Sequence, residues 1–340
     1  MTTKFLAEVS GQPQALRDLV AFYRKDGRRL LRLWQDLLDR HPALVFCGMG
    51  TSEHSALLVQ DALVKQDKTV SVHDAGEYLH YLLYPRRASA GLFVLISQSG
   101  ESAETRKVTL TLQGKAPTVV LANDESSTMA RAADLFLPLK AGEEASVTNK
   151  TYLNTLALLY LMAGGKPAAL EGIAGCLAAS VQEEQVEAAA EFLMPAESIH
   201  FIARGPALAA ARQLALTFME GARVHATAFA AGAFRHGPFE VVRQGHRAVF
   251  LVPAGKTDKL CFGILKEMLA LGSRVLLLTD CENPPQDRNL YTIRFKPPGE
   301  ERLFPLAITQ VQGCLLHHVA RLRGYEAGVF RTVSKVTAVE

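Results

Sequence analysis

The sequence predicts an α/β protein made of two tandem doubly wound parallel sheets, the second a duplicate of the first. Two observations carry this. Apolar runs recur at a fixed offset of 156 residues (201 − 45): Val45-Phe46-Cys47 falls on Phe201-Ile202-Ala203, Val94-Leu95-Ile96 on Phe250-Leu251-Val252, Val119-Val120-Leu121 on Val275-Leu276-Leu277, and Leu135-Phe136-Leu137 on Tyr291-Thr292-Ile293. Ala75-Gly76-Glu77-Tyr78 likewise falls on Ala231-Gly232-Ala233-Phe234. The runs are also continuous rather than alternating, the pattern of strands buried on both faces of a parallel sheet and covered by helices.

Taken in order, residues 1–40 alternate charge with leucine at helical spacing (Leu16, Leu19, Leu30, Leu31, Leu37, Leu38) and predict an N-terminal helical segment with a face for a partner subunit. Residues 41–165 hold the first copy. Residues 166–195 are rich in Ala and Glu, with no proline between Pro167 and Pro195, and predict a helical connector. Residues 196–323 hold the second copy, and 324–340 form an irregular tail carrying Lys335.

Composition narrows the function classes. A chain of 340 residues suits two domains, and 49% hydrophobic residues can fill two cores. A net charge of +3 is too small to argue for nucleic acid or a membrane surface. Five scattered cysteines, with no Cys-x-x-Cys, read as a reducing compartment without a disulfide frame or zinc site. No long apolar stretch follows Met1, so no signal peptide is expected, and the greasiest segment, around Leu153 to Ala163, is too short to span a bilayer. The expectation is a soluble, cytoplasmic protein.

The copies part at one loop. After the strand ending at Ile96, the first copy reads Ser97-Gln98-Ser99-Gly100-Glu101-Ser102, with a helix expected from Ala103 and Ser102 as its N-cap. Such a strand–loop–helix turn offers free backbone N–H groups, hydroxyl donors and, at Gly100, close backbone approach: the needs of a sugar phosphate. The loop has no lysine, which speaks against a nucleoside triphosphate. The matching stretch of the second copy, Pro253-Ala254-Gly255-Lys256-Thr257-Asp258, has largely lost these features. The turn Gly48-Met49-Gly50-Thr51-Ser52 could add the Ser52 hydroxyl. Clusters of Ser and Gly are also ordinary turn chemistry. A dinucleotide-dependent dehydrogenase competes for the same fold, with Asp74 as ribose carboxylate, but Glu53 stands where the fingerprint needs its third glycine.

Proton-transfer candidates lie in the second copy. Ala207 to Glu220 reads as a helix stopped by Gly221. A carboxylate at a helix C-terminus opposes the dipole, so Glu220 wants a reason; a raised pKa suited to a general base is one, and a solvated surface carboxylate is the other. His236 precedes Gly237-Pro238 in what should be a constrained turn, with His80 at the equivalent place in the first copy. His317 and His318 read as structural, and Lys335 alone reads as a solvated tail charge.

Three segments together, Ser97 to Ser102, Phe234-Arg235-His236-Gly237-Pro238 and Ser334-Lys335-Val336-Thr337, resemble the double sugar-isomerase (SIS) domain family, in particular the isomerase half of glucosamine-6-phosphate synthases and the fructosamine-6-phosphate deglycases. The resemblance runs from about residue 40 to the end. It implies a homodimer with shared active sites, a phosphosugar at the C-terminal ends of the first copy's strands, and no cofactor or metal. It implies that Ser52, Ser97, Gln98, Ser99 and Ser102 hold the phosphate, with Val147 and Ser334 touching the sugar through backbone. Glu220 would move a proton between C1 and C2, His236 would open the ring, and Lys335 could form a Schiff base with a ketose. Departures accompany the likeness. Thr217 stands where the synthases carry a second lysine, so that Thr217-Phe218-Met219-Glu220 is closer to the deglycases. Ala233 replaces a glutamate, Phe330-Arg331 replaces a Pro-Arg step, and Glu143 to Lys150 is one residue short of the synthase pattern. With no glutaminase domain in the sequence, glutamine is not expected as nitrogen donor. The implied activity is isomerisation of an amino- or amine-linked hexose 6-phosphate with release of ammonia or amine. The alternative is a phosphosugar-binding regulator without catalysis.

Overall fold

Among the described residues, ten short strands pair in parallel into two five-stranded sheets, and both sheets carry the same strand order. The computed structural model describes residues 3–83, 91–180, 182–296, 299–332 and 337. In chain order the first half contains α1 (Lys4–Ser10), α2 (Gln12–Arg24), α3 (Arg28–Arg40), β1 (Ala43–Gly48), α4 (Thr51–Ala56), α5 (Gln60–Val64), β2 (Thr69–Asp74), α6 (Ala75–Glu77), β3 (Gly91–Ile96), α7 (Ala103–Leu112), β4 (Thr118–Ala122), α8 (Thr128–Ala132), β5 (Leu135–Pro138) and α9 (Lys150–Met162). The connector holds α10 (Pro167–Ser180) and α11 (Glu183–Leu193). The second half follows with β6 (Ser198–Ala203), α12 (Ala207–Thr217), β7 (His225–Ala230), α13 (Ala231–Arg235), β8 (Arg247–Val252), α14 (Asp258–Ala270), β9 (Arg274–Thr279), β10 (Leu290–Arg294), α15 (Phe304–Ala307) and α16 (Thr309–Leu322).

The first sheet is ordered β2-β1-β3-β4-β5 and the second β7-β6-β8-β9-β10. The duplication is therefore a structural fact: β3 and β8 start 156 residues apart (247 − 91), as do β2 and β7 and β4 and β9. All residues of β3 and β4 are buried, which is why their sequence reads as unbroken Val, Ile, Leu and Phe, whereas the edge strands β2 and β7 are partly exposed and carry Ser, Thr and His. In this strand order the chain reverses direction across the sheet between β1 and β3 in the first half, and between β6 and β8 in the second. That switch point leaves a crevice at the strand C-termini where ligands of doubly wound folds bind.

The chain divides into two compact units. One comprises Gln14–Glu144, Lys150–Glu171 and Arg331–Glu340 and holds the first sheet. The other comprises Met1–Pro13, Ala145–Asn149 and Gly172–Phe330 and holds the second sheet. The N-terminal segment is thus split between them. Its apolar face is filled by this chain itself: Leu16, Leu19, Trp34 and Leu38 are fully buried, the Tyr23 hydroxyl donates to the Pro138 carbonyl (2.9 Å), and the Trp34 indole donates to the Met162 carbonyl (2.7 Å). Leu30, Leu31 and Leu37 are half-buried.

A second expectation is corrected at Glu220. The α-helix ends at Thr217, and Phe218–Ala222 form a π turn that contains Gly221 instead of being stopped by it. The chain leaves through Arg223, in the left-handed region at φ 53°. Gly221 lets α16 pack closely: a Cβ there would lie 3.1 Å from a Leu316 methyl, which would have to shift by a few tenths of an ångström.

Candidate functional site

The first-sheet unit builds the candidate anion loop. Register pairs Gly48 of β1 with Ile96 of β3, so the Gly48–Ser52 turn and the Ser97–Ser102 loop leave neighbouring strand ends at the switch point. Ser97 is buried, and its Oγ accepts from the Gly100 N–H (3.1 Å) and lies 3.1 Å from Ser102 Oγ. Ser99 Oγ accepts from the Glu101 N–H (3.1 Å). Ser102 sits at the N-cap of α7 as expected, but its side chain makes no capping bond to the helix. Gln98 carries the loop's link to the next strand end, its carbonyl accepting from the Asn123 N–H (2.9 Å). Gly100 adopts φ +67°, and a Cβ there would lie 2.1 Å from Ser127 Oγ, so glycine is required on two counts. Ser52 lies in the first turn of α4, partly exposed.

Glu101 was not among the expected site residues, yet it fastens this loop. Its carboxylate accepts from the Thr128 N–H (2.6 Å) and from Arg106 (3.2 Å), and the bond to Thr128, more than the Arg106 charge, holds its pKa below the usual carboxylate range. Asp74, the candidate ribose carboxylate, is spent on its own helix: its Oδ1 accepts from the Gly76 and Glu77 N–H groups (2.8 and 3.0 Å) as the N-cap of α6.

The same loop in the second-sheet unit is already occupied by protein carboxylates. Asp280 accepts from the Ala254 N–H (2.6 Å) and Glu301 from the Lys256 N–H (3.0 Å). A Cβ on Gly255 would meet the Glu301 carboxylate at 2.1 Å. These carboxylates take up backbone N–H groups of the loop, and burial, opposed by the Ala254 bond, raises the Asp280 pKa.

The second-sheet unit also carries the proton-transfer candidates. Glu220 lies in the π turn between buried Phe218 and buried Gly221, and burial raises its pKa to about 7. Desolvation disfavours the carboxylate and brings it near the working range of a general base. Thr217 directs its hydroxyl back to the Gln213 carbonyl (3.0 Å), so it presents no free polar group there. His236 is exposed, its turn set by Gly237 at φ +115° and a 3-10 turn over Pro238–Val241. Beside it Arg235 pairs with Glu267 (2.6 Å), and Ala233 offers only its carbonyl, to the His236 N–H (3.1 Å). Val147 is buried in the segment Ala145–Asn149, and its carbonyl accepts from the Asn149 amide (3.1 Å). Ser334 and Lys335 lie outside the described residues. Among the described residues no three His, Cys, Asp or Glu side chains gather as a metal set, and no helix is long and apolar enough to cross a membrane. All five cysteines are free.

The family model described as "SIS domain" matches residues 37–163 and 192–317. The glutamine–fructose-6-phosphate aminotransferase (isomerizing) of Pyrococcus horikoshii is 28% identical over 98% of this chain and 57% of its own length. The chain thus spans a little over half of the curated relatives it matches. The C-terminal domain of glucosamine-fructose-6-phosphate aminotransferase from Francisella tularensis superposes with a TM-score of 0.87, 22% identity, covering 96% of this chain and 98% of that one. The glucosamine-6-phosphate deaminase of Thermotoga maritima superposes with a TM-score of 0.74 at 19% identity, covering 98% and 99%. At these identities the structural matches speak for the fold.

Proposed function

Because the chain belongs to the SIS-domain family, with two such domains, we propose that it is a phosphosugar isomerase acting on an amino- or amine-linked hexose 6-phosphate, with ammonia or an amine released after isomerisation. The observation that carries this reading is Glu220: a half-buried carboxylate set in a π turn between buried Phe218 and Gly221, where burial raises its pKa to about 7. In this reading the hydroxyls and backbone N–H groups of the Ser97–Ser102 loop, with Gln98 and Ser52, take the phosphate. Val147 and Ser334 touch the sugar, Lys335 is available to a ketose, and His236 assists ring opening by moving the proton of the anomeric hydroxyl.

Glu220 then removes the proton from C2 of the open-chain aldose. The C–H electron pair forms the C1–C2 double bond of an enediol or enolamine, while the former carbonyl oxygen at C1 takes up a proton. Return of the proton to C1 regenerates a C=O or C=N at C2. When nitrogen stands at C2, water adds to that imine and ammonia leaves. The substrate's own carbonyl or imine accepts the electrons. The relatives, named as an isomerizing aminotransferase and a glucosamine-6-phosphate deaminase, support this class of chemistry.

The test is proton NMR in D₂O with glucosamine 6-phosphate, fructose 6-phosphate and a fructose-lysine 6-phosphate in separate samples. Deuterium should enter C1 or C2 with the native protein. It should enter on the order of 10³-fold more slowly with Glu220→Gln, at nearly unchanged sugar binding. Exchange by Glu220→Gln at the native rate would remove this residue from the mechanism. A second reading, a regulator that binds a phosphosugar without turnover, is favoured by the absence of a free polar group at Thr217 and Ala233; binding with no exchange at all would select it. That both partners of the dimer share sites and that the protein works in the cytoplasm belong to the same proposal.

A further inference from the structure

Glu8 lies on the N-terminal helix α1, yet its carboxylate is buried and holds a segment more than 130 residues away. Its Oε1 accepts from the Ala145 N–H (2.8 Å), and its Oε2 accepts from the Ser146 N–H (3.3 Å), from the Ser146 hydroxyl and from the Asn149 amide (3.4 Å). Asn149 in turn donates to the Val147 carbonyl (3.1 Å). A chain of hydrogen bonds therefore runs from Glu8 through Asn149 to the backbone of Val147. Around it the packing is apolar and close. Phe5, Val9 and Val147 belong to one core cluster with Ala327, and Gly328, at φ +90°, leaves room for a Cβ only at 2.8 Å from Ser146 Cβ and 3.0 Å from Phe5 Cβ.

Burying a carboxylate in such a place is costly, and the cost is met only where the oxygens find several donors. A loop could satisfy its own N–H groups through a simple turn at less expense. A charge-assisted clamp instead fixes Ala145–Asn149 in one geometry, because an ionised carboxylate accepts in directions set by its two oxygens.

We propose that Glu8 is a positioning residue, which sets the backbone of Val147 for contact with the sugar. This rests on the phosphosugar reading given above. Glu8 touches no reacting atom. It acts through Asn149 and the 145–149 backbone, and its effect falls on the sugar rather than on the phosphate, whose loop is built independently in the first-sheet unit.

The experiment compares native protein with Glu8→Gln, Glu8→Ala and Asn149→Ala. Glu8→Gln keeps the shape but turns an amide donor toward donors; Asn149→Ala breaks the link to Val147 while leaving Glu8 its bonds to Ala145 and Ser146. For each protein, kcat and KM for the phosphosugar, inhibition by inorganic phosphate, Tm and amide exchange over 145–149 are measured. The expected result is a loss in kcat/KM of roughly 10–100-fold with inhibition by inorganic phosphate changed by no more than about twofold. The Ala145 and Ser146 amides should exchange faster in the Glu8 variants only. Unchanged kcat/KM in Asn149→Ala and Glu8→Gln would overturn the proposal. So would parallel losses of phosphate inhibition, Tm and activity, which mark a merely structural role. Should Glu8→Ala fail to fold, the other two variants decide. A native protein that neither binds nor turns over any phosphosugar would overturn the functional reading itself, and the role of Glu8 with it; that failure is visible before any variant is made.

Discussion

The loop after the third strand of each sheet is the same element built twice. In the first sheet it is lined by Ser97, Ser99 and Ser102, whose hydroxyls bond to the loop's own N–H groups and to each other. In the second, Asp280 and Glu301 take up loop N–H groups with carboxylates, Glu301 at Lys256, the counterpart of Gly100. A neutral hydroxyl can rotate and yield its place to an incoming phosphate. A fixed carboxylate repels one. The reverse trade is seen one strand earlier: Glu220 of the second copy falls, at the offset of 156, on Val64 of the first, an exposed apolar residue. After duplication each copy can keep one part of a site and lose the other, so the two copies diverge at those positions while their strands stay alike.

The difference can be broken most forcefully at Gly100. Gly100→Ala forces a left-handed non-glycine residue and a collision with Ser127, a loss on the order of 3 kcal/mol. We expect a lower Tm and lost phosphosugar binding in calorimetry. Gly255→Ala in the second loop, away from the serine loop, displaces the Glu301 side chain from the Lys256 N–H and should cost less stability and leave phosphosugar binding nearly as it was.

Next in size is the pH dependence of Glu220. Its folded pKa is raised, so the folded state holds the proton more tightly than the unfolded state does. Stability from the neutral carboxyl is complete below the unfolded value, near 4.5, and is lost as pH rises through about 7. Glu220→Gln, which stays neutral, should therefore melt higher than native protein at pH 8, by up to about 3 kcal/mol, and by much less at pH 4. Native turnover should fall below about pH 7 as the base is protonated. An equal melting difference at both pH values would mean that this carboxylate is solvated.

Ser97→Ala should weaken phosphate binding about tenfold, the loss of one hydroxyl to a charged group, and lower Tm by less than Gly100→Ala does, because the Gly100 N–H loses its hydroxyl acceptor. The smallest effect is expected from Glu301→Ala. It frees the Lys256 N–H, yet Asp280 remains, and titration should still show one phosphosugar per chain. Two equivalents would show that the carboxylate alone had closed the second loop.

Much of the fold was legible because parallel strands buried on both faces leave an unbroken apolar signature, repeated at one offset. The start of α7 was legible from Ser102, whose type and place announce a cap. What could not be read has a common cause. The π turn differs from an α-helix by one residue of hydrogen-bond register, and Phe218 to Ala222 carry no side-chain pattern that reports it. The uses of Glu8, Asp280 and Glu301 depend on partners distant in sequence, so each reads as one more acidic residue. Glu101 stood inside the serine loop and was passed over because hydroxyls, not carboxylates, are expected around a phosphate; its function is to hold the loop from outside.

The split of the N-terminal segment reaches into biosynthesis. Helix α1 packs on α16, with Val9 set against Gly313 so closely that a Cβ there would lie 2.6 Å from a valine methyl. The two residues are 304 positions apart (313 − 9). At ordinary rates of translation α1 therefore waits roughly 15–60 s for the surface that buries it. During that interval Phe5 and Val9 stay uncovered, and the ribosome-bound chain carries a short apolar segment that chaperones can hold.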